Sequence, residues 1–192
     1  MVDTKQTKTI GEHYAAAELA RRGWAPALTR DGLERTDILA VKADAGRRLV
    51  EVQVKTAMNT SWKYVNWPLG EKAQQPSASE TEYFVMVGVL RHTGIAPRYF
   101  VVPRAHVAAA AWISHQHWLT EPGIPSGQRN VAASGARVHI KTFELYEDRW
   151  DLLEVDESEC PVLLPADYRE LALEERVGLP AGHAWHAALP SW

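Results

Sequence analysis

One predicted strand carries a carboxylate, an amide and an ammonium group on the same face. Residues 49–55 alternate apolar and polar side chains, which is typical of a strand with one face in the core. The valines of this segment point to one face, so Glu51, Gln53 and Lys55 point to the other, about 7 Å from neighbour to neighbour. Oxygen ligands beside a lysine suit a hard divalent ion and an activated water, so this row is a candidate for metal-dependent hydrolysis.

Two more carboxylates are expected near this row. Asp37 begins the preceding strand, which an antiparallel hairpin would bring beside the row, and Glu12 lies at the end of the packed face of the first helix. Mg²⁺ accepts one or two carboxylates, keeps several waters and leaves room for a phosphate oxygen. Purely structural explanations stay open: Glu12 as the capping-box partner of Thr9, Asp37 as a turn residue, and the row as a solvated strand face.

Alternating helices and strands are predicted to position these side chains. A capping-box pattern begins the first helix at Thr9 and Gly23 ends it, and a turn follows at 30–32. The remaining predicted elements are strands over 24–29, 37–41, 49–55, 83–90, 98–102 and 138–140, a turn at 93–94, and helices over 105–118, 145–153 and 169–175. This order predicts an α/β fold with a mixed central sheet flanked by helices.

Length and composition indicate an ordinary globular chain. With 192 residues, 46% of them hydrophobic and 23% charged, the chain is large enough to form a stable hydrophobic core without a structural metal ion. We predict one domain over residues 1–155, followed by a proline-containing tail over 156–192 that packs on the domain or extends from it. The single cysteine, Cys160, the polar N-terminus and the short apolar runs predict a cytoplasmic protein without a signal peptide or membrane partner.

Charge is distributed unevenly along the chain. The net charge is −3 overall, but residues 1–72 carry +3, residues 73–137 carry +2 and residues 138–192 carry −8. A mildly basic body is compatible with a polyanionic partner, because local patches rather than totals decide such binding. The acidic stretch from Glu144 to Glu159 is interpreted as a solvated face.

The candidate residues resemble a known nuclease family. Glu12 in a first helix, Thr36-Asp37-Ile38-Leu39, and Glu51-Val52-Gln53-Val54-Lys55-Thr56 are similar to the core motifs of the PD-(D/E)XK, or restriction endonuclease-like, superfamily. The closer resemblance is to its QxK variants among Mrr-like and archaeal-resolvase-like proteins. It covers residues 8–104 and implies an α-β-β-β-α-β core. Gln53 replaces the usual acidic residue of the motif, and Thr36 stands where its proline is expected.

The resemblance implies a role for each candidate residue. Asp37 would be the principal metal ligand, Gln53 a second ligand, and Glu51 a carboxylate that compensates for the amide. Lys55 would position the attacking water, and Glu12 would orient a water or a second ion. The family further implies Mg²⁺ or Mn²⁺ as cofactor, DNA as substrate and partner, and a homodimer as the cutting assembly.

An aromatic and basic cluster follows the candidate strand. Trp62, Lys63 and Trp67, with Tyr64 between them, have the composition of a surface that stacks on bases, and together with Arg35 they are the candidate nucleic-acid-binding residues. The same cluster is also compatible with a small apolar cluster under a loop.

Three functions are compatible with these patterns. The first is a Mg²⁺-dependent DNA endonuclease, acting in defence or DNA repair. The second is a nucleic-acid-binding or structural protein that keeps the fold but has lost activity through Gln53. The third is an interaction module whose acidic C-terminal segment mimics or masks the charge of DNA.

Overall fold

A computed structural model describes residues 3–29, 33–92, 94–125 and 127–192. The turn predicted at 30–32 lies outside the described residues, as does the first residue of the turn predicted at 93–94. The helices are α1 (Thr4–Arg21), α2 (Arg104–Leu119) and α3 (Ala166–Leu173), and the strands are β1 (Trp24–Leu28), β2 (Ile38–Lys42), β3 (Leu49–Asn59), β4 (Asn66–Pro68), β5 (Glu82–Leu90), β6 (Arg98–Pro103) and β7 (Arg137–His139). Within these described parts of the chain, no helix has both the length and the apolar character needed to cross a membrane.

A five-stranded mixed sheet forms the centre of the molecule. Its strand order is β1-β2-β3-β5-β6, and β4 pairs with β7 in a separate two-stranded sheet. β1, β2 and β3 form an antiparallel meander, β5 runs parallel to β3, and β6 is antiparallel to β5. Every residue of β5 is buried, as expected for a strand covered on both faces. The predicted mixed α/β sheet flanked by helices is therefore confirmed.

Helix α1 begins earlier than its sequence pattern predicts. The Asp3 carboxylate accepts a hydrogen bond from the Gln6 amide at 2.7 Å, and the Gln6 side chain accepts one from the Asp3 amide at 3.1 Å. This reciprocal pair caps the helix, so α1 begins at Thr4 and Thr9 lies inside it. Glu12 is consequently not a capping residue, and its structural explanation as the partner of Thr9 does not hold.

Glycine at position 11 allows α1 to approach β3 closely. A Cβ atom at Gly11 would lie 1.7 Å from Oγ1 of Thr56, so the two backbones are closer here than any larger residue permits. Ala15 and Leu19 are also fully buried, along the same stripe of the helix. The close contact positions the next residue of the helix, Glu12, beside the strand that carries Lys55.

We expect the variant Gly11→Ala to be destabilised by about 1–2 kcal/mol. Overpacking a tight contact lowers the free energy of unfolding by about 1–3 kcal/mol. The better helix propensity of alanine offsets up to about 1 kcal/mol of this loss. Urea unfolding of the variant checks this. Gly46→Ala is the matched control, because its Cβ would meet only Oδ1 of Asp44, at 3.5 Å. Equal stability of the two variants would contradict the close approach of α1 to β3.

The connection between β3 and β5 differs from the core that the resemblance implies. An α-helix is expected there, but residues 60–81 form 3₁₀ turns at Trp62–Tyr64 and Glu71–Ala73 and the short strand β4. Pro68, Gly70 and Pro76 fall within this segment and interrupt any helix longer than a turn. The second long helix, α2, follows β6 instead.

Residues 156–192 contribute side chains to the same core. Cys160, Val162, Leu164 and Leu171 are buried members of the main hydrophobic cluster. The predicted helix over 145–153 is replaced by 3₁₀ segments at Ile140–Tyr146 and Trp150–Glu154. The helix predicted over 169–175 is observed three residues earlier, as α3.

The acidic C-terminal stretch is solvated in part: Glu144, Asp148, Asp151, Glu154 and Glu159 are exposed, and several of its carboxylates also pair with basic residues. Glu147 pairs with Arg98, Glu154 with Lys42, and Asp156 with Arg48, the last at 2.8 Å. Glu157 is 9% exposed and accepts hydrogen bonds from the Ser77 hydroxyl and from the Ala105 amide at the start of α2. Burial raises the pKa of the Glu157 carboxyl, and these hydrogen bonds oppose that shift. The stretch therefore neutralises three basic residues of the body, Lys42, Arg48 and Arg98, and keeps exposed carboxylates on its surface.

Candidate active site

A cleft of about 600 Å³ opens between the first turns of α1, the end of β1 and the start of β2. Glu12 and Asp37, which the sequence predicts as site residues, both line it. The other lining residues include Lys5, Lys8, His13 and Thr29. An open cleft that contains two carboxylates and two lysines is a suitable place for phosphate chemistry.

Asp37 lies where β2 separates from β3. Its amide donates to the carbonyl of Val52 at 2.9 Å, and its Oδ2 atom accepts from the amide of Val54 at 2.8 Å. In a regular antiparallel ladder the amide of Val54 would donate to the carbonyl of Thr36. That carbonyl instead accepts a hydrogen bond from the Thr29 hydroxyl at 2.6 Å. The Asp37 carboxylate is thus held in place by the backbone of β3, with its other oxygen directed at Lys8.

The ammonium of Lys8 lies between the two carboxylates of the cleft. Its Nζ atom is 3.3 Å from Oε1 of Glu12 and 3.4 Å from Oδ1 of Asp37. Sequence analysis missed Lys8, although its spacing of four residues from Glu12 on a helix was an available signal. The two carboxylates therefore share one cationic partner in the cleft.

The donor set fits Mg²⁺ when its chemistry is considered. Mg²⁺ is usually bound by one or two carboxylates, and waters and substrate oxygens complete its octahedron. Glu12 and Asp37 supply the two carboxylates. Among the described residues, no three Asp, Glu, His or Cys side chains are grouped to hold a metal. An ion bound by both carboxylates must displace the Lys8 ammonium, whose side chain is 51% exposed and has space to turn away.

Lys55 is half-buried and does not line the cleft. Burial lowers the pKa of its ammonium group. The Asp37 carboxylate opposes this shift, whereas the positive charges of Arg104, Lys8 and Lys72 reinforce it. Because burial outweighs the effect of Asp37, this lysine is easier to deprotonate than an exposed one.

Glu51 and Gln53 bind other protein groups. The Glu51 carboxylate accepts from the Thr36 hydroxyl at 2.9 Å, and the side-chain oxygen of Gln53 accepts from Nη2 of Arg104 at 2.9 Å. Neither residue lines the cleft. Their predicted role as metal ligands stays a prediction, and of the three predicted ligands Asp37 is the one that lines the cleft.

A buried arginine explains the amide at position 53. Arg104 is 1% exposed, its Nε atom lies 2.5 Å from Oε2 of Glu82, and its guanidinium carbon lies 4.6 Å from the centre of the Phe84 ring. Burial and the neighbouring Arg35 lower the pKa of Arg104 to about 10, against the effect of Glu82. A neutral acceptor at Gln53 binds Nη2 of this guanidinium without adding a buried charge to the site, whereas Nε and Nη1 have no partner in hydrogen-bond geometry among the described residues.

The predicted nucleic-acid-binding residues do not form one surface. Trp67 is fully buried and donates to the Val87 carbonyl at 3.2 Å, so it belongs to the core and is removed from this set. Arg35 is bound by the Pro76 carbonyl and Glu82. Of the four candidates, half-buried Trp62, which lies under the guanidinium of Arg98, and exposed Lys63 remain accessible, beside exposed Tyr64.

The cleft combines a cation position with an anchored carboxylate, and Lys55, whose pKa is lowered by burial, lies outside it on β3. These groups can bind a phosphate-bearing substrate, hold a divalent ion and align a water. No protein-family model, curated protein or solved structure matches this chain.

Proposed function

We propose that this protein is a Mg²⁺-dependent nuclease that hydrolyses DNA phosphodiester bonds in the cleft beside α1. The observation that carries the proposal is the pair of carboxylates, Glu12 and Asp37, on either side of the Lys8 ammonium group in an open cleft. Lys55 follows Val54, whose amide binds the Asp37 carboxylate, and it would add the second group that such hydrolysis needs. The order of these residues on helix, strand and strand also agrees with the nuclease resemblance of the sequence.

Each residue would have a distinct task. Glu12 and Asp37 would hold the ion, and Asp37 keeps a fixed orientation because the Val54 amide binds its other oxygen. A bound Mg²⁺ or Mn²⁺ polarises the scissile phosphate and lowers the pKa of a coordinated water. Lys55 would align the attacking water, and Lys5 would attract the DNA backbone to the cleft.

The setting of this activity is part of the same proposal. Cys160 is a free, buried thiol, which agrees with a reducing, cytoplasmic compartment. A homodimer would present two clefts to the two strands of a duplex. Defence and DNA repair are the processes in which such an enzyme would act.

Two contacts favour a second candidate, a nucleic-acid-binding protein without activity. Lys8 already neutralises the carboxylate pair, and Arg104 holds Gln53, the residue that replaces the usual acidic ligand. If the ammonium cannot be displaced, the cleft would bind a nucleic-acid strand without cutting it.

A cleavage assay distinguishes the two candidates. Purified protein is incubated with plasmid and with single-stranded DNA, in Mg²⁺, in Mn²⁺ and in EDTA. We expect cleavage that requires the divalent ion and that falls by about 100-fold or more in Asp37→Asn. A melting curve of the variant controls for the lost hydrogen bond to Val54. Cleavage in EDTA, or cleavage by Asp37→Asn at the wild-type rate, would contradict the nuclease proposal, and no cleavage of either DNA would favour the inactive binder.

A further inference from the structure

A larger groove lies next to the candidate active site along α1. Its volume is about 970 Å³, and the residues that matter here are Ile10, Tyr14, Met58, Val89, Arg91 and Ile95. Thr9 and His13 line both this groove and the cleft. The two cavities therefore meet over one ridge of the helix.

Helix geometry places the two cavities on opposite flanks of that ridge. Thr9 and His13 are four residues apart, so they stand one above the other on the exposed side of α1. Glu12 and Tyr14, two residues apart, point to nearly opposite sides of the helix. Since a helix is about 10 Å wide, a short stretch of extended strand can cross the ridge from the cleft to the groove.

The lining of the groove suits an unpaired nucleobase. Tyr14 is 41% exposed and offers an aromatic ring, while Met58 and Val89 supply apolar walls. Arg91 is exposed at the groove, and none of the described residues that line it is acidic. A flat apolar slot with a positive edge and no negative charge is complementary to a base that remains attached to its phosphate backbone.

We propose that this groove binds an unpaired base of the same DNA strand whose phosphate lies in the cleft. The proposal rests on the nuclease function and specifies its substrate class: single-stranded, frayed or branched DNA rather than a continuous duplex. The base would stack on the ring of Tyr14, and Arg91 would contact the adjoining phosphate. A base paired inside a duplex cannot reach the groove, because it would have to leave its stack.

Fluorescence anisotropy of a labelled oligothymidylate in EDTA tests this proposal without requiring cleavage. We expect Tyr14→Ala to raise the Kd by about 10-fold, the loss typical of one base stacked on an aromatic ring. Tyr14→Phe keeps the ring and should change the Kd by less than about twofold. Tyr64→Ala is the comparison variant at the other candidate base-stacking cluster: Tyr64 is 56% exposed, and its replacement should raise the Kd less than that of Tyr14. A blunt duplex of the same length should bind more weakly than the single strand.

Several outcomes would overturn the proposal. Unchanged binding in Tyr14→Ala, an equal loss in Tyr14→Phe, or a larger loss in Tyr64→Ala would each show that the base does not stack on Tyr14. A dimer that dissociates in sedimentation when Tyr14 is replaced would assign the groove to a second copy of the chain. The two proposals fail separately: metal-dependent cleavage with Tyr14-independent binding refutes only the groove, and Tyr14-dependent binding without cleavage refutes only the nuclease.

Discussion

Replacement of Lys55 by methionine is expected to abolish cleavage and to leave the fold as stable as before or more stable. Removal of a group that aligns the attacking water costs at least about 100-fold in rate. Because burial lowers the pKa of Lys55, its charged form destabilises the folded state, and methionine removes that cost. A cleavage assay and a melting curve on the same sample measure both effects. We expect a Tm that is unchanged or higher by about 2–4 °C, the shift that 1 kcal/mol produces in a chain of this size.

The pH dependence of stability provides an internal check on this variant. A lysine whose folded pKa lies below its unfolded pKa destabilises the protein fully at neutral pH. This destabilisation decreases as the pH rises from the pKa of the folded state toward the pKa of the unfolded state, which is about 10.4. The stability advantage of Lys55→Met should therefore shrink at alkaline pH. Lys141→Met, at an exposed lysine outside the cleft, is the control and should change neither rate nor Tm. Cleavage by Lys55→Met at the wild-type rate would contradict its assigned role.

Replacement of Arg104 by methionine is expected to cause the largest loss of stability. The change leaves the buried Glu82 carboxylate with Arg35 as its remaining ion-pair partner and removes the donor to Gln53. Breaking a buried ion pair by removing one partner costs about 3–5 kcal/mol. For a chain of this size, that loss lowers the Tm by about 10 °C.

A double-mutant cycle separates this ion pair from simple loss of packing. Urea unfolding is measured for Arg104→Met, Glu82→Gln and the double variant. Because the two residues share one interaction, the double variant should be less destabilised than the sum of the single variants. Additive losses, or a loss below about 1 kcal/mol in Arg104→Met, would show that the buried pair does not stabilise the fold.

Local pattern predicted the sheet elements that carry the site. The alternation in residues 49–55 predicts β3 with its valines in the core, and Val50, Val52 and Val54 are buried as expected. This succeeds because the two-residue period of a strand depends only on neighbouring positions. The connection between β3 and β5 was predicted less well. The helix expected there came from the resemblance, and the prolines and glycine of that segment prevent it.

Sequence analysis missed contacts at the site between residues that lie far apart in the chain. Arg104 binds Gln53 across 51 positions of the chain, and it follows Pro103 at a helix start where an arginine normally faces solvent. Trp67 was assigned to a surface because it lies four residues after Lys63 in an aromatic and basic cluster, although it is fully buried and packs on Phe100. Such partners depend on the assembled fold, so composition and spacing could not identify them.

The central claim is that Glu12 and Asp37 hold a divalent ion in place of the Lys8 ammonium. Calorimetric titration of Mn²⁺ into the DNA-free protein tests it most directly, with Asp37→Asn and Lys8→Met as comparison variants. We predict one ion per chain in the wild type, binding about 10-fold or more weaker in Asp37→Asn, and tighter binding in Lys8→Met, where no ammonium competes. Absence of binding in all three proteins, or one affinity shared by all three, would contradict the account.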